Sequence, residues 1–261
     1  MTALRIANCS GFWGDRATAA AEMVRGGPID VLTGDYLAEL TMALLAKQRA
    51  GGKGGFVGSF VAHIEPVLAE CAARGIKIVT NAGGLDPRAL AQTLRELGAR
   101  LGVQLRIAVV SGDDILPRLS ELQAAGERFV HLDRGQPIDR LGVDVVTANA
   151  YLGGWGIAEA LARGADIVVT GRVTDAALVV GPAAWRFGWA RDDWDRLAGA
   201  VAAGHIIECS AQATGGNYSF FDEVDWSRPL GFPIAELSED GSFVITKHPG
   251  TGGRVSIGTV T

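Results

Sequence analysis

Short runs of β-branched and apolar residues alternate with alanine- and leucine-rich stretches along most of this chain. The stretches carry apolar residues at helical spacing, for example at Leu37, Leu40 and Leu44. Strands that alternate with helices form a parallel sheet with helices on both faces. We therefore predict an α/β fold with a predominantly parallel sheet flanked by helices on both faces. The predicted strands are 4–9, 29–33, 76–80, 106–110, 129–132, 143–147 and 167–169.

The segment 143–170 has the pattern of a βαβ unit. A strand at 145–147 is followed by a helix at 156–163 and by a second strand at 167–169. This spacing predicts that the two strands are parallel neighbours joined by a helical crossover. Further helices are predicted from Val173 to about Trp185 and up to Ala203.

The alternation of strand-like and helix-like stretches ends at about Phe220. Pro229, Pro233 and the turn signal around Gly241 indicate irregular or antiparallel structure. We predict that residues 1–220 form an α/β ligand-binding domain and that 221–261 form an irregular or antiparallel extension of it. Residues 255–261 have the pattern of a strand without a terminator, and we expect the natural protein to continue further.

Charge and composition exclude several classes of protein. The chain has 24 Lys and Arg against 29 Asp and Glu, and lacks the basic clusters of a nucleic-acid surface. It has no apolar run of the ~18 residues of a membrane span and no signal-peptide pattern. Cys9, Cys71 and Cys209 are too widely spaced for a disulfide framework. We expect a cytoplasmic protein that binds neither nucleic acid nor membranes and forms a homo-oligomer.

The 36 glycines concentrate in the loops that follow the predicted strands. In a parallel sheet these loops share the carboxyl edge, where ligands bind, and glycine allows close backbone approach there. Free N–H groups at helix N-termini favour an anionic ligand, such as a CoA thioester or a nucleotide. The predicted ligand-binding residues are Gly11, Asp15, Asn81, Gly83, Gly84, Ser111, Asp113, Asn149, Gly153, Gly154, Arg172, Thr214, Gly215, Gly216 and Asn217.

Carboxylates at the same edge are the candidates for catalysis, and we select Asp35, Asp175 and Glu208. They can act as general acids or bases if their surroundings raise their pKa, or hold a divalent cation through oxygen ligands. The alternative is that each caps a helix or pairs with an arginine. Asp175 is the strongest candidate because Arg172 and Thr174 share its loop.

Other motifs are weaker. The sequence 51–55, Gly-Gly-Lys-Gly-Gly, lacks the Ser or Thr of a phosphate-binding loop after Lys53 and predicts a connector or a lid. His205, Glu208 and Cys209 lie close together, and a strand would place His205 and Cys209 on one face. Zinc needs more ligands, so no metal centre is predicted, and the sequence does not identify a cofactor; a nucleophilic Cys209 is an alternative. Trp155 lies in a loop where it could stack on a flat ligand.

Five motifs in order resemble the acyclic terpene utilisation protein family, type A. They are 33–39, 80–84, 148–153, 170–178, and 204–209 with 214–217. The resemblance implies a role in the catabolism of branched acyclic terpenes, alongside acyl-CoA carboxylases and hydratases. It also implies a longer protein that often carries a small ferredoxin-like C-terminal domain. It implies no reaction, so no catalytic role transfers to a particular residue.

Together these observations predict an enzyme, or a component of one, for branched acyclic acids or their CoA thioesters. An anionic ligand would bind at the glycine-rich loops. The alternative is a non-catalytic binding or assembly subunit for a neighbouring carboxylase or hydratase. A divalent-metal-dependent hydrolase or lyase is a weaker alternative.

Overall fold

Seven strands form a single sheet in the computed structural model, which describes residues 2–261. The strands are β1 (Leu4–Asn8), β2 (Val31–Gly34), β3 (Lys77–Thr80), β4 (Ile107–Val110), β5 (Ile167–Thr170), β6 (Pro233–Leu237) and β7 (Phe243–Lys247). Their order across the sheet is β4-β5-β3-β2-β1-β6-β7. The first five strands are parallel, while β6 runs antiparallel to β1 and β7 antiparallel to β6. The predicted fold class is confirmed, including the antiparallel C-terminal part.

Ten helices accompany the sheet in residues 2–261. They are α1 (Ala19–Arg25), α2 (Glu39–Ala50), α3 (Ser59–Ile64), α4 (Leu68–Arg74), α5 (Pro87–Arg100), α6 (Leu119–Ala124), α7 (Trp155–Ala162), α8 (Ala177–Phe187), α9 (Trp194–Glu208) and α10 (Ile257–Val260). None of them is long and apolar enough to cross a membrane.

The sheet is buried on both faces, as a parallel sheet requires. Successive residues of a strand point to opposite faces. Leu32 of β2 therefore packs on the side of α1 to α5, while its neighbour Val31 packs on the side of α7, α8 and α9. Each face has its own hydrophobic core, so the two helical layers hold the carboxyl ends of the strands in fixed positions.

One strand of the predicted βαβ unit is absent from the structure, so this prediction is wrong. Residues 143–147 form no strand, and Val143 and Val146 are exposed. The parallel neighbours of β5 are β4 and β3 instead, and α7 lies in the connection between β4 and β5. Residues 143–147 lie between β4 and α7, outside the sheet.

Three other element predictions also differ from the structure. Residues 129–132 contribute only an isolated bridge between Val130 and Pro137, because no strand of the sheet lies beside them. The helix predicted to end at Ala203 continues to Glu208, so the segment 205–209 is not a strand. Residues 255–261 hold the short helix α10, which Ser256 caps through the backbone N–H of Thr259 at 3.2 Å.

A long excursion leaves the sheet between β4 and α7. We call residues 114–149 the arm, because an antiparallel bridge between Asp114 and Asn149 closes its base. It contains α6 and short 3-10 turns, and none of its residues is buried. The arm therefore adds no side chain to either core.

Candidate functional site

Asp35, Asp175 and Glu208 meet at the carboxyl edge of the sheet. Asp35 follows β2, Asp175 lies in the loop between β5 and α8, and Glu208 is the last residue of α9. One carboxylate oxygen from each side chain lies within 4.8 Å of the other two. Within residues 2–261, no other group of three His, Cys, Asp or Glu side chains is close enough to share a metal ion. We call these three residues the carboxyl cluster.

Asp35 is the buried member of the carboxyl cluster. Its Oδ1 accepts hydrogen bonds from Asn81 Nδ2 at 2.6 Å and from the backbone N–H of Leu37 at 3.2 Å. Asn81 follows β3, which lies between β2 and β5, and its own Oδ1 accepts from the backbone N–H of Tyr36 at 2.8 Å. Burial raises the pKa of Asp35 to about 6, with a further contribution from Asp175, although the hydrogen bond from Asn81 opposes the shift.

Glu208 has the most strongly raised pKa of the cluster. Burial is the main cause, the negative charges of Asp175 and Asp35 add to it, and the pKa reaches about 8. The position at the C-terminus of α9 acts in the same direction, because the negative end of the helix dipole disfavours a carboxylate. Glu208 therefore carries its proton at neutral pH.

The loop after β1 holds the C-terminal end of α9 in place. Asn8 Nδ2 donates to the carbonyl oxygen of Glu208 at 3.1 Å. A Cβ atom at Gly11 would lie 2.7 Å from the carbonyl carbon of Cys209, so only glycine allows the two backbones to approach this closely. Gly11 thus supports the site through its backbone.

Arg172 is a buried cation beside the carboxyl cluster. Its Nη1 donates to the carbonyl oxygen of Leu37 at 2.8 Å and to Asp175 Oδ1 at 3.2 Å. Its Nη2 donates to Tyr151 Oη at 3.0 Å and to Glu39 Oε1 at 3.3 Å. The guanidinium also lies over the Tyr151 ring, 4.3 Å from its centroid. Each terminal nitrogen has two protein acceptors, so Arg172 positions Asp175 and supplies positive charge.

Asp113 connects the loop after β4 to the site. Its Oδ2 accepts from the backbone N–H of Arg172 at 2.8 Å and from Asn149 Nδ2 at 2.9 Å. Asp15 has a similar role after β1, since its side chain accepts from the backbone N–H groups of Gly11 and Arg16, both at 2.9 Å. Both aspartates hold loops together in this structure.

The predicted glycines fall into two groups. A Cβ atom at Gly83 would lie 2.6 Å from Pro87 Cβ and collide with the carbonyl oxygen of Thr170. Gly84 and Gly215 have φ of +53° and +109°, which L side chains rarely adopt. Gly154 approaches the backbone of α8 at Gly181. Gly153, by contrast, is exposed to solvent, and a Cβ atom there would have no heavy atom within 4 Å.

The remaining predicted residues lie on two sides of the carboxyl cluster. Ser111 lines a shallow cleft of about 190 Å³ together with Gly84 and Asp113. Thr214, Gly215 and Gly216 belong to the turn after α9, in which Thr214 is buried. Asn217 follows that turn and lines a larger cavity.

This larger cavity adjoins the carboxyl cluster through Glu208 and has a volume of about 440 Å³. Its wall is mixed, with polar groups beside the apolar and aromatic side chains of Ile206, Tyr218, Phe220 and Val260. We call it the α9–α10 cavity, because residues of both helices line it. Sequence patterns do not indicate this cavity, since they predict a strand where α10 forms one of its walls.

Two alternatives based on residue type find little support in the geometry. His205 lies exposed on α9, and it is not part of the group that could share a metal ion. Burial raises the pKa of the Cys209 thiol, and the charge of Glu208 raises it further. A thiol in this environment is a weak nucleophile at neutral pH, because the thiolate is the reactive form.

Two residues of the site were not predicted, namely Glu39 and Tyr151. Glu39 contacts both Arg172 and Tyr151, and hydrogen bonding to Tyr151 lowers its pKa. Both residues lie inside sequence motifs quoted above, but neither motif indicated that they meet at Arg172. The contact depends on the arm returning to the sheet beside α2.

Comparison with known proteins shows to which family this chain belongs. The description of the matching family is "Acyclic terpene utilisation family protein AtuA", and the match covers residues 4–261. No curated protein and no solved structure matches the chain significantly. The matched range contains the whole sheet, the carboxyl cluster and all five motifs. Because the match extends from β1 to α10, this chain is a member of the acyclic terpene utilisation AtuA family.

Proposed function

We propose that this protein is a cytoplasmic enzyme of acyclic terpene utilisation that moves protons on a branched acyclic acid or its CoA thioester. The observation that carries the proposal is the carboxyl cluster, with three carboxylate oxygens within 4.8 Å of one another. Glu208 has a pKa of about 8 and Asp35 one of about 6. Two carboxyl groups whose pKa values are pushed apart form an acid–base pair that works near neutral pH.

The chemistry of the carboxyl cluster favours proton transfer next to a carbonyl group. Protonated Glu208 can donate a hydrogen bond to a thioester carbonyl oxygen. Ionised Asp35 can accept the proton from the adjacent carbon, and the electron pair of the broken C–H bond moves onto the carbonyl oxygen. An isomerisation of a β,γ-unsaturated acyl chain, or a dehydration of a 3-hydroxyacyl chain, begins in this way.

The α9–α10 cavity supports an acyl substrate of moderate size. Its volume of about 440 Å³ and the apolar side chains in its mixed wall can accommodate a branched hydrocarbon chain, while Glu208 lies at one side. A thioester suits this place better than a free carboxylate, because the carboxyl cluster repels negative charge. The phosphates of CoA would then lie outside the cluster, towards the glycine-rich loops.

Deuterium exchange tests this proposal. The protein is incubated in D₂O with a panel of branched acyl- and enoyl-CoA thioesters and the corresponding free acids, and the recovered acyl groups are analysed by mass spectrometry. We expect deuterium to enter next to the carbonyl group, and Glu208→Gln or Asp35→Asn to abolish it. Glu159→Gln, an exposed change on α7, should leave exchange unchanged. Absence of exchange with every thioester and free acid would refute the proposal.

A divalent cation is a second candidate for the carboxyl cluster, favoured by the same 4.8 Å spacing. Mg²⁺ and Mn²⁺ prefer carboxylate oxygens and often bind with substrate phosphates. Binding would require Glu208 to lose its proton, so affinity should rise steeply with pH. Calorimetric titration with each ion at two pH values, on the parent protein and Asp35→Asn, separates this candidate from proton transfer by Glu208.

A further inference from the structure

The arm has no hydrophobic core of its own. All of its residues, 114–149, are exposed or half-buried, although the segment is rich in Leu, Ile and Val. Ordering a chain segment costs conformational entropy, which buried apolar surface normally offsets. Helix α6 and the turns around it lack this compensation within one copy of the protein. The arm therefore has the character of a segment completed by a partner.

The total surface area leads to the same conclusion by an independent route. A compact monomer of this mass exposes about 10,900 Å², from the scaling of surface with mass. This 27.2 kDa chain exposes 12751 Å². The excess is about 1,900 Å², whereas a stable interface of standard size buries about 800 Å² on each partner. The surplus surface is large enough for one such interface.

The exposed apolar residues define where this interface would lie. Leu132 is 99% exposed, Val143 64% and Val146 56%. Between the return of the arm and the outer face of α2 is a hollow of about 520 Å³. Its lining is formed by Ala43, Ala46, Lys47, Arg49, Ala50 and Val146. The arm thus exposes a leucine, and the hollow at its base is lined in part by three alanines.

The hollow and the arm as a whole carry charges of opposite sign, although Arg134 lies next to Asp133. Lys47 and Arg49 at the hollow form no ion pair within residues 2–261. Asp133 follows the exposed Leu132 directly and is also unpaired there. Over its length the arm has four arginines and six acidic residues, so it is weakly acidic. Each copy therefore carries both surfaces of a complementary contact, namely the weakly acidic arm and the basic hollow.

We propose that the arm docks on a second copy of this chain, with Leu132 in the partner's hollow and Asp133 beside its two cations. The contact is reciprocal, since each copy provides one arm and one hollow, and it closes a two-fold dimer. Leu132 is fully exposed in a single copy, so its own hollow does not take it up. This inference does not depend on the reaction that the carboxyl cluster performs.

Light scattering after size-exclusion chromatography tests the proposal on the full chain. We expect a molar mass twice 27.2 kDa for the parent protein. Leu132→Lys places a cation against Lys47 and Arg49, and we expect dimerisation to weaken by roughly tenfold or more. Ile257→Lys is the matched control, since Ile257 on α10 is equally exposed to solvent but lies outside both features. Circular dichroism confirms that both variants fold.

A charge exchange provides the second measurement. Lys47→Asp and Asp133→Lys should each weaken dimerisation, and the double variant should recover a large part of the loss. A monomeric parent protein at about 100 μM would overturn the proposal, because a standard interface gives tighter association than this. A dimer that tolerates Leu132→Lys would overturn it as well, since a different face would then be in contact.

Discussion

Glu208 and Asp175 place carboxylate oxygens within 4.8 Å of each other, although one ends a helix and the other belongs to a loop after a strand. Glu208 avoids the repulsion by keeping its proton, as its pKa of about 8 indicates. Asp175 keeps its place through Arg172, whose guanidinium lies 3.2 Å away. The site therefore combines a carboxylic acid, a carboxylate and a buried cation.

The stability of the protein should fall as the pH rises. Asp35 and Glu208 have raised pKa values in the folded chain, so between their ordinary values and about 8 the unfolded chain binds fewer protons. The folded state is therefore favoured at low pH and loses this advantage as the pH rises through the folded pKa. We expect the unfolding temperature of Glu208→Gln to depend less on pH than that of the parent protein, from about pH 5 to about pH 8. Glu159→Gln is the control, and equal slopes for both variants would contradict this explanation.

Replacing Arg172 should destabilise the protein strongly. Arg172→Met leaves the carbonyl oxygen of Leu37 and the carboxylate of Asp175 without their donor. Arg172 is buried but Asp175 is 40% exposed, so the cost comes mainly from the acceptors left without a donor, about 1–3 kcal/mol. The free energy of unfolding in urea measures the loss. Arg163→Met breaks only the exposed pair with Glu159 and should cost less than about 1 kcal/mol; similar losses for both variants would refute the structural role of Arg172.

Replacing glycine by alanine should destabilise the protein at one position of the carboxyl edge and have little effect at another. Gly83→Ala introduces a Cβ atom 2.6 Å from Pro87 Cβ and 2.8 Å from Pro87 Cα, and neither neighbour can move away freely. Such overpacking costs about 1–3 kcal/mol. Gly153→Ala has open space around the new methyl group and should change stability by less than about 0.5 kcal/mol. Thermal unfolding of the two variants measures the difference, and a stable Gly83→Ala protein would show that the strand ends are less tightly packed than described.

The three cysteines should react slowly in the folded protein. Burial raises the pKa of Cys71 to about 12 and also raises the pKa values of Cys9 and Cys209. Alkylation by iodoacetamide near pH 7, followed by peptide mass spectrometry, should leave the thiols largely unmodified until the protein is denatured. At about pH 9, where Glu208 has lost its proton, Glu208→Gln should accelerate the reaction of Cys209 alone, because it then removes a nearby negative charge. Rapid labelling of Cys209 in the parent protein would support the nucleophile alternative instead.

Local sequence predicted most of the sheet but not every partner in it. The runs that form β1, β2, β3, β4 and β5 are apolar and bounded by turn residues, and all five were predicted. Periodicity alone could not decide whether 143–147 or β4 lies beside β5, because the neighbour of a strand depends on tertiary packing. The adjacent Ile206 and Ile207 similarly suggested a strand at a position where α9 continues. Here Gly204 lets α9 pack directly on Ala176, and this tertiary contact outweighs the β-branched side chains.

The candidate site was predicted in its members but not in its arrangement. Asp35, Asp175 and Glu208 were selected one by one as carboxylates at the carboxyl edge. Their distance from one another follows from the strand order, in which β3 separates β2 from β5 and brings Asn81 to Asp35. The raised pKa values follow from burial, which depends on the packing of α9. None of this can be obtained from residue type and spacing alone.

The pairing of β1 with β6 has a consequence for how the chain is made. Leu4 lies opposite Leu237, so one edge of the first strand stays open until β6 has been synthesised. Contacts between such distant residues slow folding, and an open strand edge exposes the nascent chain to aggregation. The ribosome releases β6 and β7 after the other five strands, and their hairpin closes the edge of β1, the first of the seven strands to emerge.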